Sequence, residues 1–153
     1  MFLGEFIQPG LVWSDLKANN KLDLISELSE KISKSQPLIS KENVARALTK
    51  REELGSTGIE DGVAIPHAKI TGLDRTIVAF ARKIEGIDFQ AHDGKPSHLF
   101  FVLLAPEGST TLHLKVLARL SRLLKRADFR NQLLKAANSS AIYEAIIRED
   151  KSQ

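Results

Sequence analysis

The sequence predicts an α/β protein with a mixed central β-sheet flanked by helices, in a single domain that covers residues 1–153. Two observations predict this fold class. Helical patterns occupy the beginning and the end of the chain, and the apolar runs typical of strands lie between them. The 153 residues suffice for one domain with one core, and no repeat or low-complexity linker divides them.

The first two elements are helices with recognisable start and stop signals. The first helix covers residues 19–34, begins behind an Asn cap and is closed by Pro37. It places four apolar residues at helical spacing, namely Leu22, Ile25, Leu28 and Ile32. The second helix covers residues 40–54, is capped by Ser40 and is stopped by Gly55.

Three apolar runs follow and are predicted to be strands. They are the short run 63–65, then 76–82, then 98–105. The last run is apolar almost throughout, which is typical of a strand that is covered on both faces of its sheet. We therefore expect helices on both sides of this strand.

The C-terminal third is predicted to be helical. Ser109 or Thr110 caps a third helix, and two more helices are expected near residues 128–137 and 140–149. The inward side of the third helix is predicted to hold Leu112, Val116, Leu120 and Leu123.

Composition excludes several classes of protein. The sequence contains no cysteine, so it can form neither a disulfide nor a thiolate metal cage, and the cytoplasm is the expected compartment. Its N-terminus carries no basic leader, and no window approaches the roughly 18 uncharged apolar residues of a membrane span. We expect a soluble protein that does not insert into a membrane.

The charge pattern gives little support to nucleic-acid binding. The formal net charge is +3, but the 22 basic and 19 acidic residues are largely interspersed, and one Trp and one Tyr offer little surface for base stacking. The one basic cluster lies on a helical stretch. It is interpreted as a solvated helix face, with an acidic protein partner as the alternative, and comprises Arg119, Arg122, Lys125, Arg126 and Arg130.

The segment 58–68 contains the first candidate for chemistry. Proline lacks an N–H and has a fixed φ, so Pro66 is expected to end the short strand and to present His67 beyond it. An imidazole with an ordinary pKa of about 6.5 is mostly neutral at pH 7, so one ring nitrogen keeps a lone pair and is a nucleophile. The alternative is a histidine that tops a strand and hydrogen-bonds a neighbour.

Two further polar residues are placed to assist. Arg51 lies near the end of the second helix, and a guanidinium is well shaped to bind phosphate or carboxylate oxygens. His113 lies in the first turn of the third helix, where the helix dipole favours a neutral imidazole and a bound anion. The alternatives are an ordinary surface arginine and a half-buried helix histidine beside Leu117 and Leu120.

The run from Arg51 to Ala68 resembles the signature of the IIA components of the bacterial phosphoenolpyruvate-dependent phosphotransferase system, in the fructose/mannitol class. That pattern has an acid or amide, an apolar-small pair, and then apolar-Ala-apolar-Pro-His followed by Gly, Ala or Cys. Leu54-Gly55 and the run 63–68 conform to it. The resemblance continues through residues 87–96, 98–107 and 112–124, and so covers nearly the whole chain.

The resemblance implies a role for each candidate. His67 matches the histidine that receives a phosphoryl group from a small HPr-like histidine phosphocarrier protein and hands it on. Arg51 matches the arginine beside that site, and His113 matches the second active-site histidine. His92 and His98 match no catalytic position. The resemblance implies no cofactor and no metal.

Two subclasses remain open. The nitrogen-regulatory type binds protein targets according to its phosphorylation state, whereas the sugar-transport type passes the phosphoryl group to a IIB domain. Segments 87–96 and 112–125 look more similar to the nitrogen type, and a chain that ends at Gln153 leaves no length for a IIB domain, although stand-alone sugar IIA proteins exist. The third helix is expected to carry basic residues next to the site that face an acidic partner, namely Lys115, Arg119, Arg122 and Arg126.

A metal-dependent hydrolase is the alternative from a different class of protein. It would need three clustered ligands, and the four histidines at 67, 92, 98 and 113 show no H-E-x-x-H or comparable spacing.

Overall fold

A mixed sheet of five strands forms the centre of the computed structural model, which describes residues 1–153. Strand β4 pairs antiparallel with β5 and parallel with β1, while β2 and β3 both pair parallel with β5. The strands are β1 (Val12–Trp13), β2 (Val63–Ala64), β3 (His67–Ile70), β4 (Ile77–Ile87) and β5 (Ser97–Pro106). The predicted mixed sheet is confirmed.

Five α-helices flank the sheet. They are α1 (Lys21–Ser35), α2 (Lys41–Glu53), α3 (Thr110–Leu124), α4 (Ala127–Lys135) and α5 (Ser139–Ser152). Two short 3-10 helices, Leu3–Glu5 and Pro9–Leu11, precede β1. Each of the five predicted helices is present, and none of the helices is both long and apolar enough to span a membrane.

The sheet separates two apolar cores, and alternation along β4 and β5 assigns their side chains to one or the other. Ala79, Ala81, Phe100 and Val102 pack with α1 and α2 on one face. Val78, Phe80, Phe101 and Leu103 pack with α3, α4 and α5 on the other. The prediction that the last apolar run is covered on both faces is therefore confirmed.

Two of the three predicted helix caps form, whereas Ser109 occupies the N-cap position of α3 without a capping hydrogen bond from its side chain. The side chain of Asn20 accepts a hydrogen bond from the Asp23 backbone N–H at 2.8 Å, and Ser40 accepts one from the Asn43 N–H at 3.1 Å. Of the four apolar residues that share the helical spacing, Leu22 does not lie on the buried face and is 70% exposed. Residues four apart share a helix face, and α1 instead buries Leu24 together with Ile25, Leu28, Ser29 and Ile32.

Pro66 interrupts an edge strand, whereas the sequence predicted that it ends one. Ala64 pairs with Phe100 and His67 with Leu103, so β2 and β3 keep the same register against β5 on both sides of the proline. The missing N–H of proline breaks the ladder locally, and the chain resumes pairing at His67. His67 therefore lies within the sheet edge and is half-buried.

The interpretation of the basic cluster as a solvated helix face is wrong for Arg119. Its Nε donates to Asp150 Oδ1 at 2.9 Å, its Nη2 donates to the Asp150 carbonyl at 2.6 Å, and both side chains are buried between α3 and α5. Arg126 pairs with Glu149 at 2.8 Å. Two of the five cluster members thus tie α3 and the segment after it to the last helix.

Candidate active site

The three predicted site residues lie together at the edge of the sheet. Nε of Arg51 is 3.3 Å from Nε2 of His67, and the rings of His67 and His113 are 5.4 Å apart between centroids. All three side chains line one open cavity of about 780 Å³. The structure thus brings together all three residues singled out from the sequence.

The fold accounts for this convergence. An edge strand is reachable from both faces of the sheet, so α2 on one face contributes Arg51 and α3 on the other contributes His113. Helix α3 begins just after β5, the strand that pairs with β3. Nζ of Lys69 donates to Oγ1 of Thr110 at 2.7 Å and so joins β3 directly to the first residue of α3.

A local hydrogen bond fixes the orientation of the His67 ring. Its Nδ1 lies 2.7 Å from the carbonyl oxygen of Ile65, two residues earlier. A carbonyl oxygen can only accept a hydrogen bond, so in the neutral ring Nδ1 carries the proton and Nε2 carries the lone pair. Nε2 faces Arg51, whose Nε–H donates to it, while Nη1 of the same guanidinium donates to the carbonyl of Gly55 at 2.9 Å.

The surroundings keep His67 neutral. Burial lowers the pKa of His67 below its usual value, and the positive charge of Arg51 lowers it further. The hydrogen bond to Ile65 and the negative charge of Glu52 act in the opposite direction but do not reverse the shift. At neutral pH Nε2 therefore carries an unprotonated lone pair, which can attack an electrophile once the hydrogen bond from Arg51 gives way.

The sequence allowed His113 to be either a site residue or a half-buried helix histidine, and in the structure its position fits both. It is 7% exposed and so is a buried helix histidine, but it also lines the cavity beside His67. Its Nδ1 is buried without a hydrogen-bond partner, which leaves Nε2 as the ring nitrogen open to a ligand. Burial lowers the pKa of His113, with smaller contributions from His67 and Lys69, so this ring is also neutral.

The cavity is rich in positive charge. Arg46, Lys50, Arg51 and Lys69 line it, and Glu107 is the one carboxylate among its lining residues. The basic residues predicted to lie there from α3 and the residues after it, namely Lys115, Arg119, Arg122 and Arg126, do not line it. The expectation that α3 supplies the basic surface next to the site is wrong, because α2 and β3 supply these charges.

Sequence reasoning missed Glu52, which follows Arg51 directly. Its side chain is 6% exposed and pairs with Nζ of Lys21 at 2.7 Å. It also accepts a hydrogen bond from the backbone N–H of Thr57 at 3.1 Å and contacts the Thr57 hydroxyl. A carboxylate in the last turn of a helix is unfavourable next to the negative end of the dipole, and this was the available signal that Glu52 needs such partners.

The other two histidines lie outside the cavity. The ring of His92 is 3.2 Å from the Ser56 carbonyl, and Nδ1 of His98 is 2.9 Å from the Ile84 carbonyl. No group of three or more His, Asp or Glu side chains is arranged to hold a metal ion, so the clustered ligands that a metal-dependent hydrolase would need are not formed.

A family model and several known proteins match this chain over nearly its whole length. The family described as "Phosphoenolpyruvate-dependent sugar phosphotransferase system, EIIA 2" matches residues 5–149. A nitrogen regulatory protein of Bradyrhizobium diazoefficiens is 38% identical over 146 residues, 95% of both chains. The fructose-specific EIIABC component of Bacillus subtilis is 36% identical over 151 residues, which are 99% of this chain but 24% of that protein.

Solved structures show the same fold. The nitrogen regulatory protein IIA-Ntr from Neisseria meningitidis superposes with a TM-score of 0.87 at 33% identity, covering 94% of this chain and 98% of that one. The mannitol enzyme IIA of Escherichia coli, solved in complex with phosphorylated mannitol enzyme IIB, gives a TM-score of 0.76 at 20% identity, covering 92% and 98% of the two chains.

Proposed function

The chain belongs to the type 2 EIIA family of the phosphoenolpyruvate-dependent phosphotransferase system, and we propose that it accepts a phosphoryl group on Nε2 of His67. The donor is an HPr-like histidine phosphocarrier protein, and the whole of residues 1–153 acts as one IIA domain in the cytoplasm. The observation that carries this proposal is the His67 ring itself. It is neutral, the Ile65 carbonyl holds the ring proton on Nδ1, and the unprotonated Nε2 faces Arg51, whose N–H can shift from Nε2 to an arriving phosphoryl oxygen.

The chemistry follows from the tautomer. The lone pair on Nε2 attacks phosphorus as the bond to the donor's histidine nitrogen breaks, so one P–N bond forms as another is lost. The proton on Nδ1 stays on the ring, where the Ile65 carbonyl stabilises the positive character of the phosphorylated imidazole. The ring therefore remains a good leaving group for onward transfer, which a relay requires.

Arg51 and His113 are proposed to hold the phosphoryl oxygens. Phosphoryl transfer depends mainly on in-line positioning and on neutralising the charge of the equatorial oxygens. The Arg51 guanidinium already lies against Nε2, where those oxygens arrive, and its Nη1 is anchored at Gly55. His113 offers Nε2 from the other side of the cavity, so the two residues approach the group from opposite faces of the sheet.

His113→Ala should slow phosphoryl transfer while still allowing His67 to be labelled. His113 supplies one contact to the phosphoryl group and does not form the covalent bond, so we expect a loss of roughly 10- to 100-fold in rate, at or below the usual cost of removing one such donor. Single-turnover transfer from the phosphorylated carrier measures the rate. Phosphate found on His113 in the wild-type protein would reverse the two roles.

We propose the nitrogen-regulatory type as the subclass, in which phosphorylation switches the binding of protein targets. Support comes from the relatives named nitrogen regulatory protein, one of which this chain matches over 95% of its length. The sugar-transport type, which passes the group to a IIB domain, is the second candidate. Its support is the relative named fructose-specific EIIABC component.

The charge of the cavity bears on the partner. Exposed Arg46, Lys50 and Lys69 line the same cavity as His67, so this surface fits an acidic patch on a docking protein. A phosphoryl group on His67 would add about −1.5 to −2 charges at the centre of this surface. Binding of an acidic target should therefore be favoured by the unphosphorylated form.

A competition between donors and acceptors tests the subclass. We expect faster phosphorylation of this chain by a nitrogen-type carrier than by a sugar-type carrier, measured as the initial rate at equal carrier concentration. At least one cellular protein should also be retained by only one of the two phosphorylation states. Faster donation by the sugar-type carrier, together with rapid transfer to a sugar IIB domain, would establish the second candidate instead.

A further inference from the structure

A closed chain of contacts links Arg51 and His67 through the loop between α2 and β2. Nδ1–H of His67 donates to the Ile65 carbonyl at 2.7 Å, and the Ile65 N–H donates to the Thr57 carbonyl at 3.0 Å. The Thr57 N–H and hydroxyl bind the Glu52 carboxylate. Glu52 is bonded covalently to Arg51, whose Nε returns to His67 at 3.3 Å. Each residue in this closed series of contacts is thus linked to two others in it.

Apart from Arg51, Glu52 is the only charged side chain that makes these contacts, and an ion pair with a neighbouring helix fixes its position. Lys21 at the start of α1 pairs with it at 2.7 Å, and the Lys21 side chain is 15% exposed. Nζ of Lys21 also lies 4.5 Å from the centre of the Phe89 ring and donates to the Phe89 carbonyl at 3.4 Å. Glu52 therefore connects α1, α2 and the loop after β4 to the segment that carries the phosphoryl acceptor.

We propose that Glu52 is a positioning residue for phosphoryl transfer, which clamps Thr57 and thereby sets Arg51 and His67 against each other. The proposal rests on the proposed function, since it concerns the geometry of the same reaction. Glu52 contacts neither Nε2 nor the incoming group. It acts through Thr57 and Ile65 on one side and through the last turn of α2 on the other.

The loop geometry shows why the contact between Glu52 and Thr57 affects both Arg51 and His67. The Gly55 carbonyl, which receives Nη1 of Arg51, lies between Glu52 and Thr57 in the chain. Releasing Thr57 frees this short loop, so the anchor of the guanidinium and the Ile65 support of the imidazole loosen together. A misplacement of about 1 Å in a phosphoryl-transfer site can cost roughly 100-fold in rate.

Glu52→Gln tests the clamp with little change in side-chain volume. We expect single-turnover phosphorylation of His67 to slow by roughly 10- to 100-fold at saturating carrier. Asp150→Asn is the matched control, since it removes a carboxylate that is similarly buried and paired with a cation, but that lies between α3 and α5. The control should lose stability without a comparable loss of rate.

Thr57 provides a second test that survives if Glu52→Gln fails to fold. Thr57→Val keeps the volume and loses the hydroxyl contact to Glu52, whereas Thr57→Ser keeps the hydroxyl and loses the methyl group. Clamping predicts that the valine variant is slower than the serine variant. A purely packing role for this buried residue predicts the reverse order.

Nitrogen-15 NMR of His67 gives a readout that is independent of phosphorylation. Glu52→Gln should lower the titration midpoint of His67, because the Glu52 charge raises the pKa of this ring, and should weaken the preference for the Nδ1–H form. Equal slowing in Glu52→Gln and Asp150→Asn, or a wild-type rate and spectrum in Glu52→Gln, overturns the proposal. Absence of phosphorylation in the wild-type protein would defeat the proposed function, while the NMR comparison would still decide the role of Glu52.

Discussion

His67→Ala is expected to abolish phosphorylation of the chain altogether. No other side chain in the cavity combines a neutral ring, a ring proton fixed on Nδ1 and an unprotonated Nε2 beside an arginine. His113 cannot substitute, because its Nδ1 has no hydrogen-bond partner that would hold the ring proton there during attack by Nε2. The measurement is transfer of labelled phosphate from phosphoenolpyruvate through the first enzyme and the carrier protein, followed by mapping of the acid-labile phosphate.

His98→Ala serves as the control for this experiment. His98 lies in β5 and binds the Ile84 carbonyl at 2.9 Å, outside the cavity. Its removal should leave labelling at the wild-type level. Label that persists in a folded His67→Ala variant would show that another residue is the acceptor.

Arg51→Lys is expected to slow transfer nearly as much as Arg51→Ala, by roughly 100-fold or more. Two donors of the guanidinium are already committed in different directions, Nε to His67 and Nη1 to the Gly55 carbonyl. A lysine ammonium is a single point of charge and cannot hold both positions while also meeting phosphoryl oxygens. The measurement is the single-turnover rate of phosphorylation at saturating carrier.

The matched control is Arg122→Lys. Arg122 is exposed on α3 and does not line the cavity, so the same exchange of guanidinium for ammonium should leave the rate unchanged. A wild-type rate in Arg51→Lys combined with a slow Arg51→Ala would show that positive charge alone is needed at this position.

Two helix starts and the central strand depend on local sequence and were predicted correctly. The caps at Asn20 and Ser40 set helix starts, and the long apolar run around Phe100 identified the central strand. The proximity of Arg51, His67 and His113 was implied by the family resemblance, and it depends on long-range pairing of β3 with β5 that no local pattern contains. Spacing along the chain alone left each of these residues with an ordinary structural alternative.

Features that depend on tertiary partners were not predictable from the sequence. Arg119 looked like part of a solvated basic face, because its partner Asp150 lies 31 residues away on another helix. Strand β3 was missed since Pro66 is a usual strand terminator, and pairing resumes only because β5 extends beyond that point. Glu52 was passed over because its role depends on contacts with Lys21 and Thr57, which fold onto it from both sides.

The nitrogen to which phosphate is attached tests the account most directly. Because the Ile65 carbonyl requires the ring proton on Nδ1, phosphorylation must occur on Nε2 of His67. Nitrogen-15 and phosphorus-31 NMR of the phosphorylated protein distinguish the two ring positions. We predict a phosphorus coupling to Nε2 of His67 with the proton retained on Nδ1. Phosphate on Nδ1 of His67, or on any other residue, would contradict the mechanism.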